Sequence, residues 1–144
     1  MKKTFFLTAM SGCILLSATL MAQKIKSSRV PALVSKALMA KYPAAAKITW
    51  EKEKGNYEAN WGGKSGEDMS VQFTPAGAFV EQVEAIPVSS LPAGVSKYVQ
   101  AKYKGVKITE AGKVTDAKGV TTYEAEVKGK DLVFDTKGNF IKID

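Results

Sequence analysis

The strongest constraint in this sequence is an internal repeat of about 60 residues. Residues 40–42 (Ala-Lys-Tyr) recur as residues 101–103, 61 positions later. Residues 57–59 (Tyr-Glu-Ala) recur as residues 123–125, now 66 positions later, so a hairpin has grown in the second copy. A unit of this size buries too little apolar surface to be stable alone. We therefore expect the two copies to act as one structural body.

A helix is predicted at the start of each copy. Apolar residues recur at i, i+4 and i+8, which places them on one helical stripe. These stripes are Val34, Leu38 and Tyr42 in the first copy, and Val95, Val99 and Tyr103 in the second. Pro31 and Pro92 lie near the helix starts, where a missing N–H costs nothing. Pro43 ends the first helix and Gly105 ends the second.

Strands are predicted after each helix, because apolar and polar residues alternate there with a period of two. That alternation is typical of an antiparallel sheet with one face in water. The sequence thus predicts an α+β fold: a tandem repeat of one helix plus about four antiparallel strands, with the helices packed on one face. The residues expected on the open face are Glu58, Asn60, Gln72, Glu124 and Glu126.

Residues 1–22 have the pattern of a signal peptide. Lys2 and Lys3 precede an apolar stretch, and Ala22 provides a small residue at the cleavage point. The stretch is short for a membrane span, so no stable span is expected after cleavage. Cys13 faintly resembles a lipidation site, and its lipidation is left open. The predicted organisation is a signal peptide (1–22), a first repeat (23–86) and a second repeat (87–144), in a periplasmic or secreted protein.

Composition argues against several classes of function. The chain has no histidine, and Cys13 is its one cysteine. The commonest general base and metal ligand are therefore missing, and no disulfide can form after cleavage. Removing Lys2 and Lys3 from the net charge of +7 leaves +5. The remaining basic residues are scattered lysines apart from Arg29, which indicates a solvated surface and no nucleic-acid partner.

No catalytic site, metal site or cofactor is predicted. Nucleophilic catalysis needs a base within reach of the nucleophile. The adjacent pair Ser35 and Lys36 lies on a helix at i and i+1, where side chains diverge. Glu58, Glu124 and Glu126 could supply acid–base pairs, but alternation already demands polar residues there. The acidic residues are too sparsely spaced for a calcium loop. We therefore predict that the chain is not an enzyme.

The set of short motifs resembles a known family. Residues 41–43 (Lys-Tyr-Pro) at the first helix end, residues 57–59, and the hairpin 73–79 with Phe-x-x-x-Gly-x-Phe are similar to the PepSY-like family, also described as β-lactamase-inhibitor-protein-like. The resemblance covers residues 30–144, although Lys104 replaces Pro43 in the second copy. It implies a small exported protein that binds, or inhibits, another exported protein such as a peptidase or other envelope enzyme.

Differences between the copies suggest where specific function lies. Trp50 aligns with Glu110, so the fold does not demand an apolar side chain at both positions. Trp50 is accordingly the candidate aromatic anchor for a partner, and packing on a local edge is its alternative role. The leading hypothesis is a binding module that uses Trp50 and the five open-face residues. The alternative is a small-ligand or envelope-sensing module with an apolar pocket between helix and sheet.

Overall fold

The structure is a computed structural model that describes residues 22–144. The predicted signal peptide, with Cys13, lies outside the described residues except for Ala22. The two helices are α1 (Ala32–Lys41) and α2 (Ala93–Lys102). The nine strands are β1 (Gln23–Ile25), β2 (Thr49–Glu53), β3 (Asn56–Trp61), β4 (Met69–Phe73), β5 (Phe79–Ala85), β6 (Ala111–Asp116), β7 (Thr121–Val127), β8 (Lys130–Phe134) and β9 (Phe140–Ile143).

All nine strands form one antiparallel sheet whose order follows the chain, from β1 to β9. The first copy supplies α1 and β2 to β5, and the second supplies α2 and β6 to β9. The copies meet where β5 pairs with β6, with Glu81 opposite Asp116 and Ala85 opposite Gly112. The predicted α+β tandem of one helix plus four strands is confirmed, and the two copies share a continuous sheet.

Each helix covers its own half of the sheet, and both lie on the same face. Beneath α1, a core cluster includes Val34, Leu38 and Phe73. Beneath α2, the equivalent cluster includes Val95 and Phe134. These side chains are almost fully buried, so they account for much of the apolar surface removed from water. The predicted apolar stripes are confirmed as the faces that the helices bury.

Helix boundaries follow from local chemistry. Pro31 and Pro92 occupy the N-cap positions. At the C-terminal ends, the Tyr42 amide donates to the Leu38 carbonyl at 2.7 Å, and Tyr103 repeats the contact at 2.8 Å. Pro43 cannot donate the next helical bond, so α1 ends before it. Each helix has ten residues, and neither helix of residues 22–144 is long and apolar enough to cross a membrane.

The start of each helix rests on a glycine in a β-turn. Gly138, with φ +83°, lies so close to α2 that a Cβ on it would stand 2.9 Å from Gly94 Cα. Gly77 occupies the equivalent turn of the first copy, and a Cβ there would stand 2.8 Å from the Leu33 carbonyl oxygen. Glycine is thus required twice at this point, for the left-handed backbone and for close packing.

Gly138→Ala is expected to lower the free energy of unfolding by about 2 kcal/mol, through backbone strain and the clash with Gly94. Gly129→Ala is the matched control, because Gly129 also has a positive φ (+70°) but open space around its Cα. Urea unfolding of both variants separates the two contributions. Equal losses in the two variants would show that the contact with α2 contributes nothing.

Candidate functional site

The five polar residues predicted for the open face do share the sheet face opposite the helices. Cross-strand registers place them there: Glu58 lies opposite Gln72, Asn60 opposite Ser70, and Glu124 opposite Val133. Glu126 follows Glu124 at the next position on the same face of β7. Alternation along paired strands fixes this placement, because side chains on one face recur every second residue.

The open face is concave. It contains two adjoining cavities of about 450 and 430 Å³, and we call them together the trough. Five residues line both cavities, which makes the trough continuous: Glu58, Ser70, Val83, Glu124 and Asp131. Both copies therefore contribute to one depression.

An ion pair between residues next to distant strands shows that the sheet is strongly curved. In a flat sheet, β3 and β9 would lie about 29 Å apart, at roughly 4.8 Å per strand. Lys54, in the turn before β3, nevertheless places its Nζ 3.4 Å from Oδ1 of Asp144, the residue after β9. Lys142 Nζ lies 2.8 Å from the other carboxylate oxygen. Twist and curl of the sheet thus bring the turn between β2 and β3 close to the end of the edge strand β9.

Charge is strongly segregated between the two faces. Ten of the 14 acidic residues in the chain line the trough. One of the 19 basic residues in the described part, Lys54, lines it as well. The trough is therefore acidic although the chain carries a net positive charge. The acidic residues are Glu51, Glu53, Glu58, Glu67, Glu81, Glu110, Glu124, Glu126, Asp131 and Asp144.

In the first copy, polar neighbours stabilise the carboxylate at the centre of the open face. Asn60 Nδ2 donates to Glu58 Oε1 at 3.0 Å, and Gln72 Nε2 donates to Glu58 Oε2 at 3.1 Å. Ser70 in turn donates to the Asn60 side-chain oxygen. Asn60 is 5% exposed, and this network satisfies its polar atoms. The side-chain amides of Asn60 and Gln72 thus take the place of water around the Glu58 carboxylate.

In the second copy, the equivalent carboxylate lacks such donors. Glu124 corresponds to Glu58, whereas Glu126 and Val133 stand where the first copy has Asn60 and Gln72. Neither an ionised carboxylate nor a valine can donate a hydrogen bond. Burial, reinforced by the charges of Asp131 and other trough carboxylates, raises the pKa of Glu124 to about 7. Glu124 therefore titrates near neutral pH.

Neighbouring trough carboxyl groups shift in the same direction for the same reason. Burial raises the pKa of Glu81, Glu53 and Asp131, and nearby carboxylates add to each shift. Asp144 is the exception, since its hydrogen bond from Lys142 lowers its pKa. The trough is a region where negative charge is crowded and only partly compensated.

Trp50 does not lie in the trough, and its predicted role as a partner-facing aromatic needs correction. It is 6% exposed and belongs to the core beneath α1. Its cross-strand partners Ile25 and Ala59 are on the helix-covered face. A side chain buried there cannot contact a partner while the protein is folded. Trp50 instead packs in the core beneath α1, which is deeper in the fold than the local edge of the alternative role.

The error about Trp50 comes from one inserted residue. Thr49 pairs with Asn60, and Thr109 makes the same contact with Glu126. Trp50 then pairs with Ala59, but in the second copy Ala111, and not Glu110, pairs with Ala125. Glu110 is an extra residue beside Glu126, a β-bulge that turns its side chain towards the trough. The spatial counterpart of Trp50 is Ala111.

An apolar depression exists near α2, but outside the layer between helix and sheet. Its volume is about 330 Å³, and its lining comes from α2 and from segments before and after it, including Val88, Val99 and Ile108. Side chains of the core clusters occupy the space beneath the helices. In residues 22–144, no group of three or more Asp, Glu, His or Cys side chains could hold a metal ion.

Solved structures share this fold. A Bacteroides eggerthii protein thought to be periplasmic matches with a TM-score of 0.66 at 24% identity, over 80% of this chain and 88% of the other. A DUF2874 family protein from Bacteroides uniformis matches with a TM-score of 0.65 at 24% identity, over 79% and 88%. A BLIP-like protein from Bacteroides fragilis matches with a TM-score of 0.59 at 21% identity, over 79% and 85%.

The sequence itself identifies the family. No functionally curated protein matches the chain. A family model described as "putative beta-lactamase-inhibitor-like, PepSY-like" matches it twice, at residues 19–81 and at residues 61–142. The two matches overlap at residues 61–81 and together extend over most of the chain, in agreement with a tandem of helix-plus-strands units. The chain belongs to the PepSY-like family, as its short repeated motifs suggested.

Proposed function

We propose that the mature chain is an exported, non-enzymatic binding module that grips a segment of another exported protein in its trough. The single observation that supports this most is the concave face to which both copies contribute, left uncovered by either helix. Binding sites in proteins are typically concave and bring several polar groups together, as this depression does. The signal-peptide pattern of residues 1–22 supports export.

The family supports the same proposal at a coarser level. Its model is described as inhibitor-like, which favours a protein that acts by binding. The trough offers many carboxylates but no histidine or cysteine that they could activate as a nucleophile. An envelope enzyme, such as a peptidase, is the kind of partner we propose. Fold likeness alone cannot assign this role, so the test must locate the partner on the trough.

Site-specific photocrosslinking tests the proposal. Asp131 is exposed and lines the trough, whereas Met39 is exposed on α1 at the opposite face. Each is replaced in turn by a benzophenone amino acid in the organism that makes the protein. We expect a discrete adduct with another exported protein from position 131, competed by excess unlabelled protein, and none from position 39. No adduct at 131, or the same adducts from both positions, would remove the trough from the proposal.

A further inference from the structure

The chemistry of the trough also restricts what it can hold. We propose that it binds a lysine- or arginine-bearing segment of the protein partner, with a cationic side chain laid along a short apolar strip at Val83 and its charged group among the carboxylates around Glu124. This inference rests on the proposed function and specifies the partner of that same site. The proposed occupant of the trough is thus a cationic segment of another protein.

The lining of the trough is mainly polar, but it includes a short apolar strip at Val83, Ala85 and Gly112. Ala85 pairs with Gly112, and Val83 lies opposite Val114 on the same face. A Cβ on Gly112 would stand 2.7 Å from Val83 Cγ1 and 3.9 Å from Glu124 Oε2, so the Glu124 carboxylate leans over glycine backbone beside valine. An apolar strip bordered by carboxylates suits a side chain with an aliphatic stem and a charged end.

The chain itself provides an example of such a side chain. Lys54 projects into the trough, and its Nζ pairs with Asp144 at 3.4 Å. A lysine ammonium can therefore pair with a carboxylate of the trough while its own side chain stays largely exposed. Its pairing with Asp144 leaves the other carboxylates around Glu124 available. The charged groups near Glu124 are five more acids and one base: Glu81 on β5, Asp131 on β8, Glu58 on β3, Glu126 on β7, Asp144 after β9, and Lys142 on β9.

Charge complementarity should make the affinity of the trough for a cation depend on pH. A cation bound beside Glu124 favours its ionised form, so binding releases a proton wherever the free protein is partly protonated. The Glu124 pKa of about 7 means that roughly a tenth of molecules are ionised at pH 6 and nine-tenths at pH 8. Affinity should therefore be about tenfold weaker at pH 6 than at pH 8.

Isothermal titration of the mature protein with acetyl-hexalysine amide tests the inference, with hexaglutamate and spermine as comparators. We expect hexalysine to bind and hexaglutamate not to bind. Glu124→Gln should bind hexalysine about tenfold more weakly than wild type at pH 8, and its affinity should change less than twofold between pH 6 and pH 8. Spermine binding as tightly as hexalysine would overturn the protein segment in favour of a small polyamine.

Matched charge reversals separate the trough from net charge. Asp131→Arg changes the trough, whereas Glu84→Arg makes the same change on the helix-covered side of the sheet, where Glu84 is exposed opposite Lys113. We expect at least tenfold weaker hexalysine binding for Asp131→Arg and less than twofold for Glu84→Arg. Equal weakening, or no binding by wild type, would overturn the inference. A crosslinked partner at position 131 without hexalysine binding would overturn this inference alone and leave the proposed function standing.

Discussion

Trp50→Ala is expected to lower the free energy of unfolding by about 3–5 kcal/mol, the usual cost of removing a large buried aromatic side chain. Trp50 is 6% exposed, and its ring fills the core beneath α1 together with Val34 and Leu38. Truncation leaves a cavity that the paired strands on both sides prevent from closing. Chemical denaturation followed by far-UV circular dichroism measures the loss.

Two variants keep this prediction testable even if Trp50→Ala fails to fold. Trp50→Phe retains most of the buried volume and should cost less than about 1.5 kcal/mol. Lys52→Ala changes an exposed neighbour on the same strand and should change stability by no more than about 0.5 kcal/mol. A loss below about 1 kcal/mol for Trp50→Ala would contradict the buried position and restore Trp50 as a candidate for partner contact.

Glu124→Gln is expected to stabilise the protein by about 3 kcal/mol at pH 8 and to have almost no effect near pH 4.5. The pKa of Glu124 rises from 4.5 to about 7 on folding. The folded state therefore holds a proton that the unfolded state has released between these values, so this group reduces stability as pH rises through that window. At about 1.4 kcal/mol per pKa unit, the full effect is present above pH 7.

The pH dependence of the difference is the informative measurement, because other trough carboxyl groups titrate as well. Subtracting the unfolding free energy of wild type from that of Glu124→Gln, at intervals from pH 4 to pH 8.5, isolates the contribution of Glu124. A flat difference for Glu124→Gln would mean that Glu124 is ionised in the folded protein throughout this range.

Much of the fold was predictable because the pattern that indicates each helix or strand occurs twice in the sequence, once in each copy. Helical stripes such as Val34 and Leu38 recur as Val95 and Val99, and all four are buried. Strand alternation placed Glu58 and Glu124 on one face without any knowledge of pairing. Patterns of this kind depend only on local geometry, which the sequence encodes directly.

Features that depend on three-dimensional pairing were not predictable. The offsets of the repeat show that the second copy gains residues before Tyr123, but they do not show that Glu110 enters as a bulge. Because of that one residue, the sequence aligns Trp50 with Glu110, whereas its counterpart in space is Ala111. Curvature of the sheet, which brings Lys54 to Asp144, also leaves no local signature. Strand pairing and that curvature together gather carboxylates from several strands into one trough, which the scattered lysines in the sequence do not reveal.

The strand order has a consequence for how the protein acquires its shape. Every strand pairs with the strand that precedes it in the chain, from β1 to β9. Six of the eight pairings close across a short loop, and the β1–β2 and β5–β6 pairings close across a helix. Topologies in which most contacts are local in this way fold quickly. A chain that emerges from a membrane with its N-terminus first can add each strand to an edge already in place. The Lys54–Asp144 contact joins residues 90 positions apart, so it can form only after β9 has reached the sheet.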